Sequence, residues 1–117
     1  MPRQSLGELE LLVLLALLRL GTGAYGAAIR EEIRARAGRD VTPGAIYPTL
    51  ARLEARGLVK SAASDPLPER GGRARRIFEL RPQGLRELRR TWRQYAVLAR
   101  GLEHALDPGH GLGLKKS

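Results

Sequence analysis

The chain has 117 residues, 43% hydrophobic but only 4% aromatic, and a formal net charge of +9 from 21 Lys and Arg against 12 Asp and Glu. Such a length accommodates one compact domain with an aliphatic core and one appended element. The absence of cysteine excludes disulfide frameworks, thiolate metal sites and cysteine nucleophiles, and the positive excess points to a polyanionic partner, with nucleic acid ahead of an anionic membrane surface or a solvated basic face.

Residues 5–20, SLGELELLVLLALLRL, predict a first helix with Ser5 as N-cap, Glu8 closing a capping box, and Gly21 and Gly23 ending it. From Leu11 to Leu18 the segment is apolar on every side. It is too short to cross a bilayer, and Glu8 and Glu10 stand where a signal peptide wants positive charge. The chain therefore reads as soluble and cytoplasmic, with no membrane partner. A helix apolar all round needs cover on more than one face. A small three-helix domain covers only one, so a second copy of the chain is expected on the other.

Residues 25–37 predict a second helix with Ile29 and Ile33 inward, stopped by Gly38. Thr42 is the N-cap of a third, with Pro43 at the first helical position, and this helix runs to about Arg56. Ile46, Leu50 and Leu53 recur at helical spacing and face the core. That leaves Thr42, Gly44, Ala45, Tyr47, Pro48, Thr49 and Arg52 outward. Pro48 lies past the first turn, where it removes a backbone hydrogen bond and should bend the helix.

Residues 58–62 and 75–80 read as strands, separated by a loop holding Pro66, Pro68, Gly71 and Gly72. Three helices, a strand, a loop and a strand give a mainly α fold with a small β-hairpin wing: a winged helix-turn-helix. In that fold the third helix presents its N-terminal half to the major groove of duplex DNA. Gly44 and Ala45 are small enough for close backbone approach. Tyr47 offers a ring to a thymine methyl and a hydroxyl to a phosphate, or else packs against the second helix. Gly71 and Gly72 allow a tight tip that can approach DNA, and around it Arg70, Arg73, Arg75 and Arg76 suit phosphates or a narrow minor groove. The sequence singles out none of these arginines.

Residues 82–106 predict a last helix whose apolar positions Leu85, Leu88, Trp92, Tyr95, Ala99, Leu102 and Leu106 alternate in steps of three and four. That is a seam for a partner helix. Gly101 interrupts it at about 1 kcal/mol relative to alanine. With Leu11, Leu14, Leu15 and Leu18 of the first helix, the seam forms the expected homodimer interface. The division is then 1–81 for a DNA-binding domain, 82–106 for a dimerisation helix, and 107–117 for an unstructured tail. Catalysis finds no foothold, since His104 and His110 are the only histidines and neither has a suitable partner. No metal site or cofactor is expected. The rival reading is a winged-helix protein-interaction adaptor without specific DNA binding.

Residues 6–88 resemble the PadR-like winged-helix transcriptional regulators. The segments that carry the likeness are LGELELLVLLALL, YGAAIREEI, TPGAIYPTLARLEARGLVK and GGRARRIFELRPQGLREL, the most specific being the run from Gly44 to Leu58. The resemblance implies a homodimeric DNA-binding protein, usually a repressor, whose C-terminal helix swaps across the dimer onto the partner's first helix. Where the family's wing ends in Tyr-x-Leu-Thr, Phe78, Leu80 and Arg81 stand here, so the leucine is kept while a tyrosine hydroxyl and a threonine cap are lost. The short C-terminal part matches a compact subgroup with one dimerisation helix. In some compact members, aromatic residues of the dimer helices bound a pore for flat hydrophobic drugs. Trp92 and Tyr95 could hold such a pocket for a small hydrophobic ligand, or fill the interface as large core residues.

Overall fold

A computed structural model of the chain describes residues 5–64 and 75–107. Along them run α1 (Glu8–Leu20), β1 (Ala24–Tyr25), α2 (Gly26–Ala37), α3 (Pro43–Ala55), β2 (Val59–Ala63), β3 (Arg76–Leu80), α4 (Pro82–Ala99) and α5 (Glu103–Leu106).

Helix α1 begins later than expected. Its N-cap is Gly7 rather than Ser5, and the carboxylate that closes the first turn is Glu10, whose Oε1 accepts the Gly7 N–H at 2.8 Å. The helix is central: Val13, Leu14 and Leu17 are fully buried, and α2, α3, α4 and β3 all pack against it. Each such side chain contributes roughly 1.5–3 kcal/mol by leaving water. On the opposite side Leu15 and Leu18 remain exposed, so only part of this apolar helix is covered within one chain.

Ile29 and Ile33 of α2 and Ile46, Leu50 and Leu53 of α3 complete the core. Gly38 ends α2 at φ 69, a left-handed conformation that favours glycine. Thr42 caps α3 by accepting the Ala45 N–H at 3.2 Å, and Pro43 opens the helix.

The sheet is antiparallel in the order β1-β3-β2, with Ala24 opposite Phe78 and Val59 opposite Leu80. Strand β1 has no counterpart in the sequence reading, because two residues carry no periodicity. The wing tip, with Arg70, Gly71, Gly72 and Arg73, lies outside the described residues.

The last helix is shorter than its heptad pattern. It ends at Ala99, and Leu102 and Leu106 lie outside it, Leu106 on the four-residue α5. Gly101 stands between at φ 89, and its N–H donates to the Glu103 carboxylate at 3.0 Å. The side-chain repeat continues through the break, but the backbone does not. At its other end α4 is locked to the turn before β2: Arg81 donates its N–H to the Leu58 carbonyl at 3.0 Å, and a β-carbon on Gly84 would stand 2.2 Å from that same oxygen. No helix among the described residues is long and apolar enough to cross a membrane.

Candidate nucleic-acid interface

The outward face of α3 is built by exclusion. With Ile46, Leu50 and Leu53 fully buried, helical spacing turns Thr42, Gly44, Tyr47 and Pro48 to solvent, and all four are exposed while Ala45 is half-buried. Pro48 sits inside an unbroken helix. Supplying no N–H, it takes from the Gly44 carbonyl its usual helical donor four residues on, on the exposed side of the helix.

Two expected members do not join this face. Thr49 is 1% exposed; it belongs to the core side, and its hydroxyl donates to the Ala45 carbonyl at 2.8 Å. Arg52 is exposed, but its guanidinium donates to the Thr49 hydroxyl at 3.0 Å and lies 3.8 Å from Glu10. It is turned back towards α1. An i+3 step from Ile46 puts position 49 on the buried stripe, which a three-residue core pattern leaves out.

Tyr47 is both packed and presented. Its ring lies across Gly26, the first residue of α2, where a β-carbon would meet the hydroxyl at 2.5 Å. It also stands 6.5 Å from the Phe78 ring. Still, 46% of the residue is exposed. Arg75, at the base of the wing, stacks its guanidinium 3.9 Å over the Tyr25 ring, a cation–π contact that leaves its N–H groups free to turn outward. Tyr25 is the N-cap of α2. The start of α2, the second turn of α3 and a wing arginine thus converge on one side. Unpaired N–H groups and the positive end of a helix dipole at the start of α2 add to the charge there. Arg76 donates to the Ser61 hydroxyl, which in turn donates to Glu54 of α3, tying the wing strands to the same helix. Gly72 and Arg73 lie outside the described residues.

Behind this surface, Glu10 joins two helices. It is 9% exposed, and Oε1 accepts from Gly7 and, at 3.3 Å, from Arg56 at the end of α3. No simple sequence pattern pairs positions 46 residues apart. On α2 the Arg34 guanidinium beside Glu31 holds that exposed carboxyl below the ordinary glutamate range.

The expected dimer residues divide. Leu14 is fully buried in the core and Leu88 nearly so, which removes Leu14 from any partner's reach. Leu15, Leu18, Trp92, Tyr95, Leu102 and Leu106 are exposed, Trp92 by 67%, while Leu11, Leu85 and Ala99 are half-buried. A cleft of about 530 Å³ between α1 and α4 is lined by Leu11, Leu15, Leu18, Leu85, Leu88, Trp92 and Tyr95, with Thr91 and Arg89. Val97 and Leu98 are also exposed, outside the heptad register that the sequence suggested.

Residues 14–90 match the model of the transcriptional regulator PadR-like family. The transcriptional regulator Rv3488 of Mycobacterium tuberculosis is 41% identical over 76 residues, 65% of this chain and 66% of the relative, so the match spans just under two-thirds of that protein's length. Among solved structures, a PadR-like transcription factor from Bacteroides fragilis superposes at TM-score 0.69 with 24% identity, over 83% of this chain and 88% of that one. A PadR family transcriptional regulator from Eggerthella lenta gives TM-score 0.64 with 32% identity, over 86% and 87% of the two chains.

Proposed function

Because the chain belongs to the PadR-like family of transcriptional regulators, with a winged-helix DNA-binding fold, we propose that it is a repressor working as a homodimer on a palindromic operator. Each protomer sets the first turns of α3 in a major groove. Gly44 and Pro48 allow close approach, Tyr47 reaches base edges or a phosphate, and Arg75 with Arg73 and Gly72 of the wing grip the backbone. Thr42 and Ala45 lie beside the same contact.

The observation that carries the dimer is the apolar surface of α1 and α4. Leu15, Leu18, Trp92 and Tyr95 form one face with the cleft between them, and an apolar patch of this kind marks an interaction surface. A second copy covers it by self-complementary contact. Residues 82–106 then serve as the dimerisation element, and the paired clefts enclose Trp92 and Tyr95 around a space suited to a small hydrophobic ligand that releases the operator.

Selection of bound sequences from a random duplex pool, followed by gel-shift titration at several salt concentrations, tests the reading. A palindrome with half-sites about one helical turn apart, or a multiple of it, is expected. Binding that follows salt alone with no sequence preference refutes operator recognition. Unchanged affinity in the Tyr47→Ala, Arg75→Ala pair, together with a stable protein partner, would favour an adaptor.

A further inference from the structure

Most described arginines are already engaged. Arg19 and Arg36 pair with Glu32, Arg34 with Glu31, Arg39 with Glu8, and Arg56 with Glu10. Arg86, Arg89 and Arg93 of α4 have no such partner among the described residues. Arg90 pairs with Glu87, yet its Nε is buried without an acceptor.

These four arginines occupy i, i+3, i+4 and i+7 of one helix, so they share a face. At about 1.5 Å per residue they extend over roughly 10 Å of helix axis. With Gln83 and Glu87 they bound a groove of about 510 Å³, a volume ordinary for a small-molecule site. Like charges at this spacing disfavour the helix, and every residue that lines the groove is polar or charged, its apolar wall being the stems of those same side chains. Glu87 is 8% exposed and committed to Arg90; it orients that guanidinium more than it opposes an incoming anion.

The groove also lies apart from the end of α3 that reads DNA. Gln83 stands 3.5 Å from a β-carbon position on Gly57, just past the C-terminal end of α3. Along the helix axis Thr42 is roughly 20 Å away and Tyr47 roughly 15 Å.

We propose that this face of α4 is an anion site for a polyphosphate, either a nucleoside triphosphate or an inorganic chain. Guanidinium forks take phosphate oxygens in pairs, and a row of four along the axis matches linked phosphates better than a single anion. Binding relieves the repulsion along α4, and the helix that walls the apolar cleft becomes more stable.

The full-length chain is titrated calorimetrically with sodium tripolyphosphate and with ATP at fixed ionic strength. Saturable binding is expected, weakened at least about tenfold in Arg86→Gln, Arg93→Gln and unchanged in Arg100→Gln, an exposed arginine outside the groove. Equal affinity for both probes identifies the phosphate chain as the ligand, and tighter ATP identifies a nucleotide; either result supports the site. Equal weakening in Arg100→Gln, no weakening in the pair, or non-saturable binding overturns it. So does a loss of duplex affinity in the pair as large as that of Tyr47→Ala, which would make the groove part of the DNA surface. Circular dichroism checks the fold, and the single variant Arg89→Gln replaces the pair if helicity is lost. The outcome does not depend on whether the protein represses or dimerises.

Discussion

The hydroxyl of Tyr47 lies 2.5 Å from where a β-carbon on Gly26 would stand. A glycine at the first position of α2 therefore lets the aromatic ring of α3 lean across the helix junction while half of it stays in solvent. A methyl group at position 26 pushes the phenol outward. Because the ring is half exposed it can swing away, and Gly26→Ala is expected to cost about 1 kcal/mol of stability, the low end of the overpacking range. Its operator affinity should fall at least about tenfold, as expected when a base-edge or phosphate contact is misplaced. Thermal melts beside gel shifts separate the two effects; a large stability loss with unchanged binding would make Tyr47 a packing residue only.

At Gly84 the obstacle is backbone. The Leu58 carbonyl oxygen would meet a new β-carbon at 2.2 Å, and that oxygen already accepts from Arg81. Gly84→Ala is therefore predicted to destabilise the fold by about 2–3 kcal/mol, measured as a lower urea midpoint at unchanged slope.

Glu10→Ala removes the acceptor shared by Gly7 and Arg56. Leaving a half-buried guanidinium with one partner fewer should cost about 1–3 kcal/mol, and Glu10→Gln should recover part of it through its remaining carbonyl oxygen. Denaturant unfolding of the two variants provides the comparison.

Leu15→Glu with Leu18→Glu places two charges on the exposed side of α1 without touching the core. Sedimentation should show a dimer for the native chain and a monomer for the double variant. An unchanged dimer would remove α1 from the interface.

The Glu31 carboxyl is held down by the hydrogen bond and charge of Arg34. A depressed folded-state pKa contributes stability above the unfolded value, and that contribution is lost as pH falls through the folded one. Arg34→Ala should return Glu31 to the ordinary glutamate range in an NMR titration. The two proteins should differ least at the acid end, where both carboxyls are protonated.

Much of this was legible in the sequence wherever residues repeat at a fixed spacing. Ile46, Leu50 and Leu53 set the orientation of α3, and from it came the exposure of Thr42, Gly44, Tyr47 and Pro48. Repetition misled at two points. The heptad positions run on through Leu102 and Leu106, but the backbone at Gly101 does not follow them. Thr49 reads as polar and outward, yet its hydroxyl satisfies itself on a carbonyl one turn back. Contacts between distant positions, such as Glu10 with Arg56 or Tyr47 over Gly26, leave no periodic trace and need coordinates.

The sheet has a consequence of another kind. One margin is β1, only two residues long and followed at once by α2. On the other, the Ser61 N–H of β2 is taken by the Glu54 carboxylate at 3.2 Å. Both margins are thus poor templates for an added strand. At high local concentration, neighbouring copies therefore offer one another little edge along which their sheets could zip together into aggregates.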